Sequence, residues 1–144
     1  MDRPARHGRA RLPAWKDAHD GLSRIRERFI LATLSNGGFA LLTTLVKYAR
    51  LPFDCILSAE LARHYKPDPE AYQTAAHLLE VQPHQMLIVA CHAWDLHGAR
   101  AAGLRTAFIE RPLEKGPEGR ADRAADAPAD IAVGGFDELA QVLG

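Results

Sequence analysis

Residues 29–38 constrain the fold of this chain more than any other segment. They read Phe-Ile-Leu-Ala-Thr-Leu and then change abruptly to Ser-Asn-Gly-Gly. The apolar run is too short to cross a membrane and favours a buried strand. A new apolar-periodic segment starts at Phe39, so the pattern predicts a strand that delivers Ser35 and Asn36 to the start of a helix. An ordinary strand–turn–helix corner has the same pattern, but helix N-termini also bind anions through their unpaired N–H groups.

A second polar cluster surrounds Lys66. The sequence Tyr-Lys-Pro-Asp-Pro occupies residues 65–69 and precedes a helical pattern. Asp68 suits a helix N-cap, and Pro69 suits the first helical position. This pattern predicts that Lys66 lies just ahead of a helix.

A third cluster contains Trp94 and Asp95. It follows the apolar residues 86–90, which predict another buried strand, and Asp95 is expected to cap the next helix. Ligands of open parallel sheets bind at the carboxyl ends of the strands. We therefore expect one crevice to contain Ser35, Asn36, Lys66 and Asp95.

The rest of the chain predicts alternating strands and helices. The predicted helices are 17–28, 39–50, 70–80, 95–102 and 136–143, and the predicted strands are 29–34, 54–58, 86–90, 105–109 and 131–133. Residues 114–129 are rich in Gly, Pro, Ala and charge and predict a surface loop. Alternating strands and helices imply an α/β fold with a mostly parallel sheet.

These motifs, in this order, resemble the haloacid dehalogenase superfamily, and within it the type II 2-haloacid dehalogenase branch. The family signature has four parts: a nucleophilic aspartate after the first strand, a Ser or Thr after the second strand, a lysine before a helix, and an acidic residue after the fourth strand. The second, third and fourth parts are similar to Leu-Ser-Asn-Gly at 34–37, Tyr-Lys-Pro-Asp-Pro at 65–69 and Ala-Trp-Asp-Leu at 93–96. Residues 103–112 also resemble that branch, and the resemblance runs from about residue 12 to the end.

The resemblance implies a Rossmann-like parallel sheet flanked by helices that lacks its first strand and most of the cap domain. Residues 12–144 would form this partial core, with 12–28 as the return segment from the cap. The arginine-rich residues 1–11 predict a disordered basic arm. No aspartate of the chain begins an Asp-x-x-Gly-Thr motif. We therefore expect the C-terminal part of an enzyme, truncated and inactive by itself.

The activity that the resemblance implies is hydrolysis of the carbon–halogen bond of short 2-haloacids. Lys66 and Asp95 would be catalytic, with Lys66 balancing the nucleophile's charge and Asp95 orienting Lys66 and the hydrolytic water. Ser35, Asn36 and Trp94 would bind the substrate. His92 stands where the branch often has a small or amide residue, which leaves its role open. No cofactor is expected.

Two other functions stay open. The first is a phosphatase of the same superfamily, in which Asp95 would help to hold Mg²⁺, although Leu96 stands where metal-dependent members usually have a second carboxylate. The second is a non-catalytic remnant, or a module that needs another polypeptide. No metal site is predicted, because the histidines lack ligand spacing with the cysteines; those considered are His64, His77, His84, His92 and His97.

The composition of the chain limits the classes of partner that it is expected to bind. The formal net charge is +0, which gives no argument for nucleic acid, and no long apolar span suggests a membrane. Cys55 and Cys91 are expected to be reduced, and the cytoplasm is the expected compartment. The expected partner is a small anionic substrate, together with a homodimer mate or a missing N-terminal segment.

Overall fold

The computed structural model of the protein describes residues 15–112, 114–116 and 118–144. The predicted basic arm at residues 1–11 lies outside the described residues. The chain divides into two compact units. The first contains the described residues through Leu61 together with Phe136–Gly144, and the second is Ala62–Gly135.

Helices and strands alternate along the chain close to the predicted positions. In chain order they are α1 (Ala18–Arg26), β1 (Ala32–Ser35), α2 (Phe39–Ala49), β2 (Cys55–Ser58), α3 (Pro69–Leu78), β3 (Leu87–Ala90), α4 (Ala93–Ala101), β4 (Arg105–Ile109), β5 (Ile131–Val133) and α5 (Phe136–Leu143). Short 3₁₀ helices occupy Ala59–Leu61, Pro83–Gln85 and Ala124–Asp126, the last of them inside the predicted surface loop.

The first unit contains a two-stranded parallel sheet. β1 pairs with β2 in a register that places Ser35 opposite Ser58, and α2 packs against β2. Helix α1 packs against α5, where Gly21 permits a close approach: a Cβ at this position would lie 2.4 Å from Phe136 Cβ. The small residue therefore brings the two helices together.

β1 begins three residues later than the sequence pattern predicts. Phe29 and Ile30 lie before the strand and are 46% and 68% exposed. The Asp54 side chain accepts the Leu31 N–H at 2.8 Å, and the Asp54 N–H donates to the Leu31 carbonyl at 2.7 Å. The hydrogen bond from the Leu31 N–H to the Asp54 carboxylate is the largest effect on this group and lowers its pKa. Partial desolvation acts in the opposite direction, but the nearby Arg26 guanidinium lowers the pKa of Asp54 further. β1 itself is half-buried rather than buried, since it pairs on one edge only among the described residues.

The second unit contains a three-stranded parallel sheet in the order β3-β4-β5. Helix α4 packs against β3 and β4, and α3 packs against α4. The largest fully buried side chains of this unit are Tyr72, Phe108, Leu96 and Thr106. Thr106 anchors the chain ahead of β5, because its N–H donates to Asp130 at 2.9 Å and its hydroxyl donates to the Pro128 carbonyl at 2.8 Å.

The predicted α/β fold, with parallel sheets flanked by helices, is confirmed. The resemblance predicted a sheet that lacks its first strand, and the strands of the described residues form two separate sheets, β1-β2 and β3-β4-β5. The division of residues 12–28 and 12–144 into a return segment and a partial core stays a prediction. None of the helices in the described part is long and apolar enough to span a membrane.

Candidate active site

A buried ion pair forms the centre of the candidate site in the second unit. Lys66 Nζ donates to Asp95 Oδ2 at 2.5 Å, and the two side chains are 8% and 5% exposed. Lys66 lies in a turn directly ahead of α3, as predicted, and α3 begins at Pro69 with Asp68 as its N-cap. A charge-assisted hydrogen bond between two side chains that are shielded from water holds both groups in a defined position.

The sequence predicts Asp95 as the N-cap of its helix, but the residue lies within the first turn. His92 is the N-cap of α4. The carboxylate of Asp122 takes the position expected for Asp95, because it accepts the Ala93 N–H at 2.8 Å. Asp95 is thereby left to face Lys66, near the positive end of the α4 dipole, which stabilises its negative charge.

Tyr72 holds the other oxygen of Asp95. Its hydroxyl donates to Asp95 Oδ1 at 2.7 Å and lies 3.0 Å from the Asp95 carbonyl oxygen, and the side chain is fully buried. Burial, and then the bond and charge of Asp95, raise the pKa of Tyr72, so it remains a hydrogen-bond donor. Sequence reasoning placed Tyr72 only on the inward face of its helix. The usable signal was that a buried tyrosine hydroxyl normally has a polar partner.

Removal of this hydroxyl tests the arrangement. For Tyr72→Phe we expect the free energy of unfolding to fall by about 1.5–3 kcal/mol, because the buried carboxylate of Asp95 loses the hydrogen bond that the tyrosine hydroxyl donates. Urea denaturation measures it, with Tyr48→Phe as the matched control. Tyr48 is 56% exposed on α2, so its variant should change stability by less than about 0.5 kcal/mol. Equal effects of the two variants would contradict the Asp95 contact.

Trp94 forms one wall beside this ion pair. Its ring centroid lies 5.8 Å from Lys66 Nζ and 5.9 Å from the centroid of the His92 ring, which it stacks on with an interplanar angle of 13°. Trp94 is 44% exposed, so part of its indole faces solvent and is available for contact with a small molecule. The cation lies within the range of a cation–π contact.

Ser35 is the last residue of β1 in the first unit, and Asn36 follows it directly. Ser35 Oγ accepts the Gly37 N–H at 3.0 Å, and Ser58 donates its hydroxyl to the Gly37 carbonyl at 2.6 Å. This tight turn leads into α2, whose N-cap is Gly38. The loop between β1 and α2 therefore has the predicted strand–turn–helix form, with a serine hydroxyl and the first N–H groups of a helix close in sequence.

The structure brings together three of the five predicted site residues. Lys66, Trp94 and Asp95 meet in the second unit, whereas Ser35 and Asn36 lie in the first unit. Convergence of the two groups stays a prediction, as do the catalytic and substrate-binding roles of all five residues.

Comparison with known proteins identifies the class. A sequence model described as haloacid dehalogenase-like hydrolase matches residues 23–109, more than half of the chain. The chain belongs to this family.

Its relatives include dehalogenases of 2-haloacids. The chain is 39% identical over 103 residues to (S)-2-haloacid dehalogenase 4A of Burkholderia cepacia, a match that covers 69% of this chain and 45% of that enzyme. It superposes on the L-2-haloacid dehalogenase PA0810 with a TM-score of 0.91 and 41% identity, covering 94% of this chain and 60% of that one. It also superposes on the L-2-haloacid dehalogenase of Xanthobacter autotrophicus with chloropropionic acid covalently bound. There the TM-score is 0.82 and the identity 26%, over 95% of this chain and 63% of that one. The chain thus spans about half the length of the curated relatives it matches.

Proposed function

We propose that this chain supplies the lysine–aspartate part of a 2-haloacid dehalogenase active site. The observation that carries the proposal is the buried contact of Lys66 with Asp95, in a chain whose relatives are named 2-haloacid dehalogenases. The substrate class is a short 2-haloacid, and the reaction is hydrolysis of its carbon–halogen bond.

The proposed reaction has two steps. A carboxylate nucleophile attacks C2 of the substrate, forming an ester bond and releasing halide, and water then hydrolyses the ester to give the 2-hydroxy acid. Lys66 keeps the nucleophile ionised by its positive charge. Asp95 holds Lys66 and orients the water of the second step, and Trp94 lines the pocket.

Ser35 and Asn36 are proposed to bind the substrate carboxylate. Ser35 Oγ accepts the Gly37 N–H at 3.0 Å, and a serine hydroxyl can donate its own proton to an anion. Two donors that hold the carboxylate fix the position of C2 for attack, which is how a bound geometry accelerates a displacement.

The phosphatase alternative has less support. Its Mg²⁺ would need Asp95 and further oxygen ligands, but Lys66 and Tyr72 occupy the two oxygens of Asp95. The next residue, Leu96, is fully buried and apolar. No cluster of potential ligands among the described residues includes Asp95. These side chains do not fit a magnesium site, and the proposed reaction uses no cofactor.

The third alternative is a module that does not catalyse. It is supported by the lack of an Asp-x-x-Gly-Thr motif in these 144 residues. The cytoplasm remains the proposed compartment, supported by the two cysteines, which are free in the described structure.

A hybrid protein tests the proposal. The full chain is joined to the part of the Burkholderia cepacia enzyme that precedes the region this chain matches, and halide release from 2-chloropropionate is measured. We expect turnover from the hybrid and none from the chain alone, because the chain can position an anion but has no nucleophile of the family pattern.

The other outcomes distinguish the alternatives. Release of phosphate from phosphate esters, with no halide released, would favour the phosphatase. A folded hybrid with neither activity would favour the non-catalytic module. Halide turnover by the chain alone that is lost in Asp17→Asn or Asp20→Asn would show that another aspartate of this chain is the nucleophile.

A further inference from the structure

Three potential metal ligands meet beside α4. They are Cys91 Sγ, His92 Nε2 and a carboxylate oxygen of Glu114, and all lie within 4.8 Å of one another. Cys91 and His92 follow β3 directly, whereas Glu114 comes from the loop after β4, 22 residues further along the chain. Sequence spacing did not predict this cluster, since its third member is brought in only by the tertiary fold.

The geometry of the cluster suits a tetrahedral ion. Cys91 Sγ lies 3.8 Å from His92 Nε2. Sulfur and nitrogen ligands of a tetrahedral zinc ion are separated by roughly 3.6 Å, given their usual bond lengths. Glu114 Oε1 is hydrogen-bonded to the same imidazole nitrogen, so this direct contact has to open for an ion to enter between the two ligands. Stacking on Trp94 orients the plane of the His92 ring.

Glu114 provides a second, independent observation. Its Oε2 atom is buried and has no hydrogen-bond partner among the described residues. A buried carboxylate oxygen without a partner is costly, and such an atom normally contacts a donor, a water or an ion. A cation bound by both oxygens of this carboxylate would satisfy it.

We propose that Cys91, His92 and Glu114 form a binding site for a divalent zinc-like cation. A thiolate, an imidazole and a carboxylate together match the borderline-soft character of Zn²⁺ better than that of Mg²⁺ or Ca²⁺. Three protein ligands leave the fourth tetrahedral position to a water molecule. This site lies outside the proposed reaction, which uses no metal.

Metal binding has a clear effect on the thiol. Burial, and then the charge of Glu114, raise the pKa of Cys91 to about 11, so the thiol is protonated at neutral pH. A bound cation displaces this proton, because thiolate is the ligand form.

Cobalt is the spectroscopic probe of this site. The reduced full chain is titrated with Co²⁺ and then with Zn²⁺, and the thiolate-to-cobalt charge-transfer absorption is recorded. We expect the band to appear with one equivalent of Co²⁺ and to disappear when Zn²⁺ displaces it. Cys91→Ser should abolish the band, and His92→Ala or Glu114→Gln should each weaken Zn²⁺ binding at least about tenfold.

The chain offers two matched controls. Cys55 is the other free thiol, so Cys55→Ser should leave the band unchanged. His64, Asp68 and Glu70 form an exposed cluster of potential ligands, so His64→Ala should leave tight binding unchanged. Circular dichroism confirms that each variant is folded, and Glu114→Gln, on a loop, provides the test if Cys91→Ser does not fold.

Three results would overturn the proposal. They are absence of a charge-transfer band, a band that depends on Cys55 rather than Cys91, and zinc binding that is lost with His64→Ala but kept in Glu114→Gln. The measurement is independent of dehalogenation, so failure of the metal site and failure of the proposed function remain distinguishable.

Discussion

Replacement of Lys66 by methionine is expected to lower the free energy of unfolding of the second unit by about 3–5 kcal/mol. Lys66 and Asp95 are both almost completely buried, and methionine has a similar length without the charge. The variant leaves the Asp95 carboxylate buried with Tyr72 as its remaining hydroxyl donor. An uncompensated buried charge is far more costly than a broken surface ion pair.

Urea denaturation followed by Trp94 fluorescence measures this loss, in a Trp15→Phe background so that the signal comes from the second unit. Lys115→Met is the matched control, since Lys115 is an exposed lysine of the second unit and its loss should cost less than about 0.5 kcal/mol. The double variant Lys66→Met/Asp95→Asn should recover most of the stability, because it removes both charges. A Lys66→Met variant as stable as Lys115→Met would contradict the buried pair.

In the active hybrid, Asp95→Asn is expected to separate the two steps of the reaction. Halide leaves in the first step, and the proposed role of Asp95 is to orient the water of the second. The variant should therefore release about one halide per active site in a rapid burst. Its steady-state turnover should then be about 10²–10⁴ times lower than that of the unmodified hybrid, the range for removal of a group that assists proton transfer.

Rapid-quench halide measurements with accumulation of the ester, detected by mass spectrometry, test this expectation. Lys66→Met is the contrasting variant, because the loss of its charge should reduce the burst itself. If Asp95→Asn also eliminates the burst, Asp95 acts on the first step through Lys66. Unchanged turnover would remove Asp95 from the catalytic residues.

Local sequence patterns predicted much of the fold. The start of α3 at Pro69 follows from an N-cap aspartate and a proline at the first helical position, and both effects depend on neighbouring residues only. β4, β5 and α5 likewise have the predicted bounds. The predicted start of β1 was wrong. The end of a strand depends on which backbone groups find hydrogen-bond partners, and here Leu31 is hydrogen-bonded to Asp54 ahead of the strand.

The residues of the candidate site were likewise predicted only in part from the sequence. Lys66 and Asp95 were predicted from motif order, and their burial and contact agree with that pairing. Tyr72 was recognised only as an inward-facing residue of a helix, and Asp122 was not recognised at all. Asp122 takes the Ala93 N–H from a position 29 residues away, and no local pattern indicates such a contact.

The sequence by itself determined the alternation of strands and helices, the family and the residues Ser35, Asn36, Lys66, Trp94 and Asp95 as site candidates. These features depend on periodicity, helix caps and short motifs, which act over a few residues along the chain. Only the tertiary structure decided that Tyr72 holds Asp95 and that Glu114 meets Cys91 and His92. Those contacts join residues that are distant in the sequence, and their geometry is set by how the helices and loops pack around the β3-β4-β5 sheet.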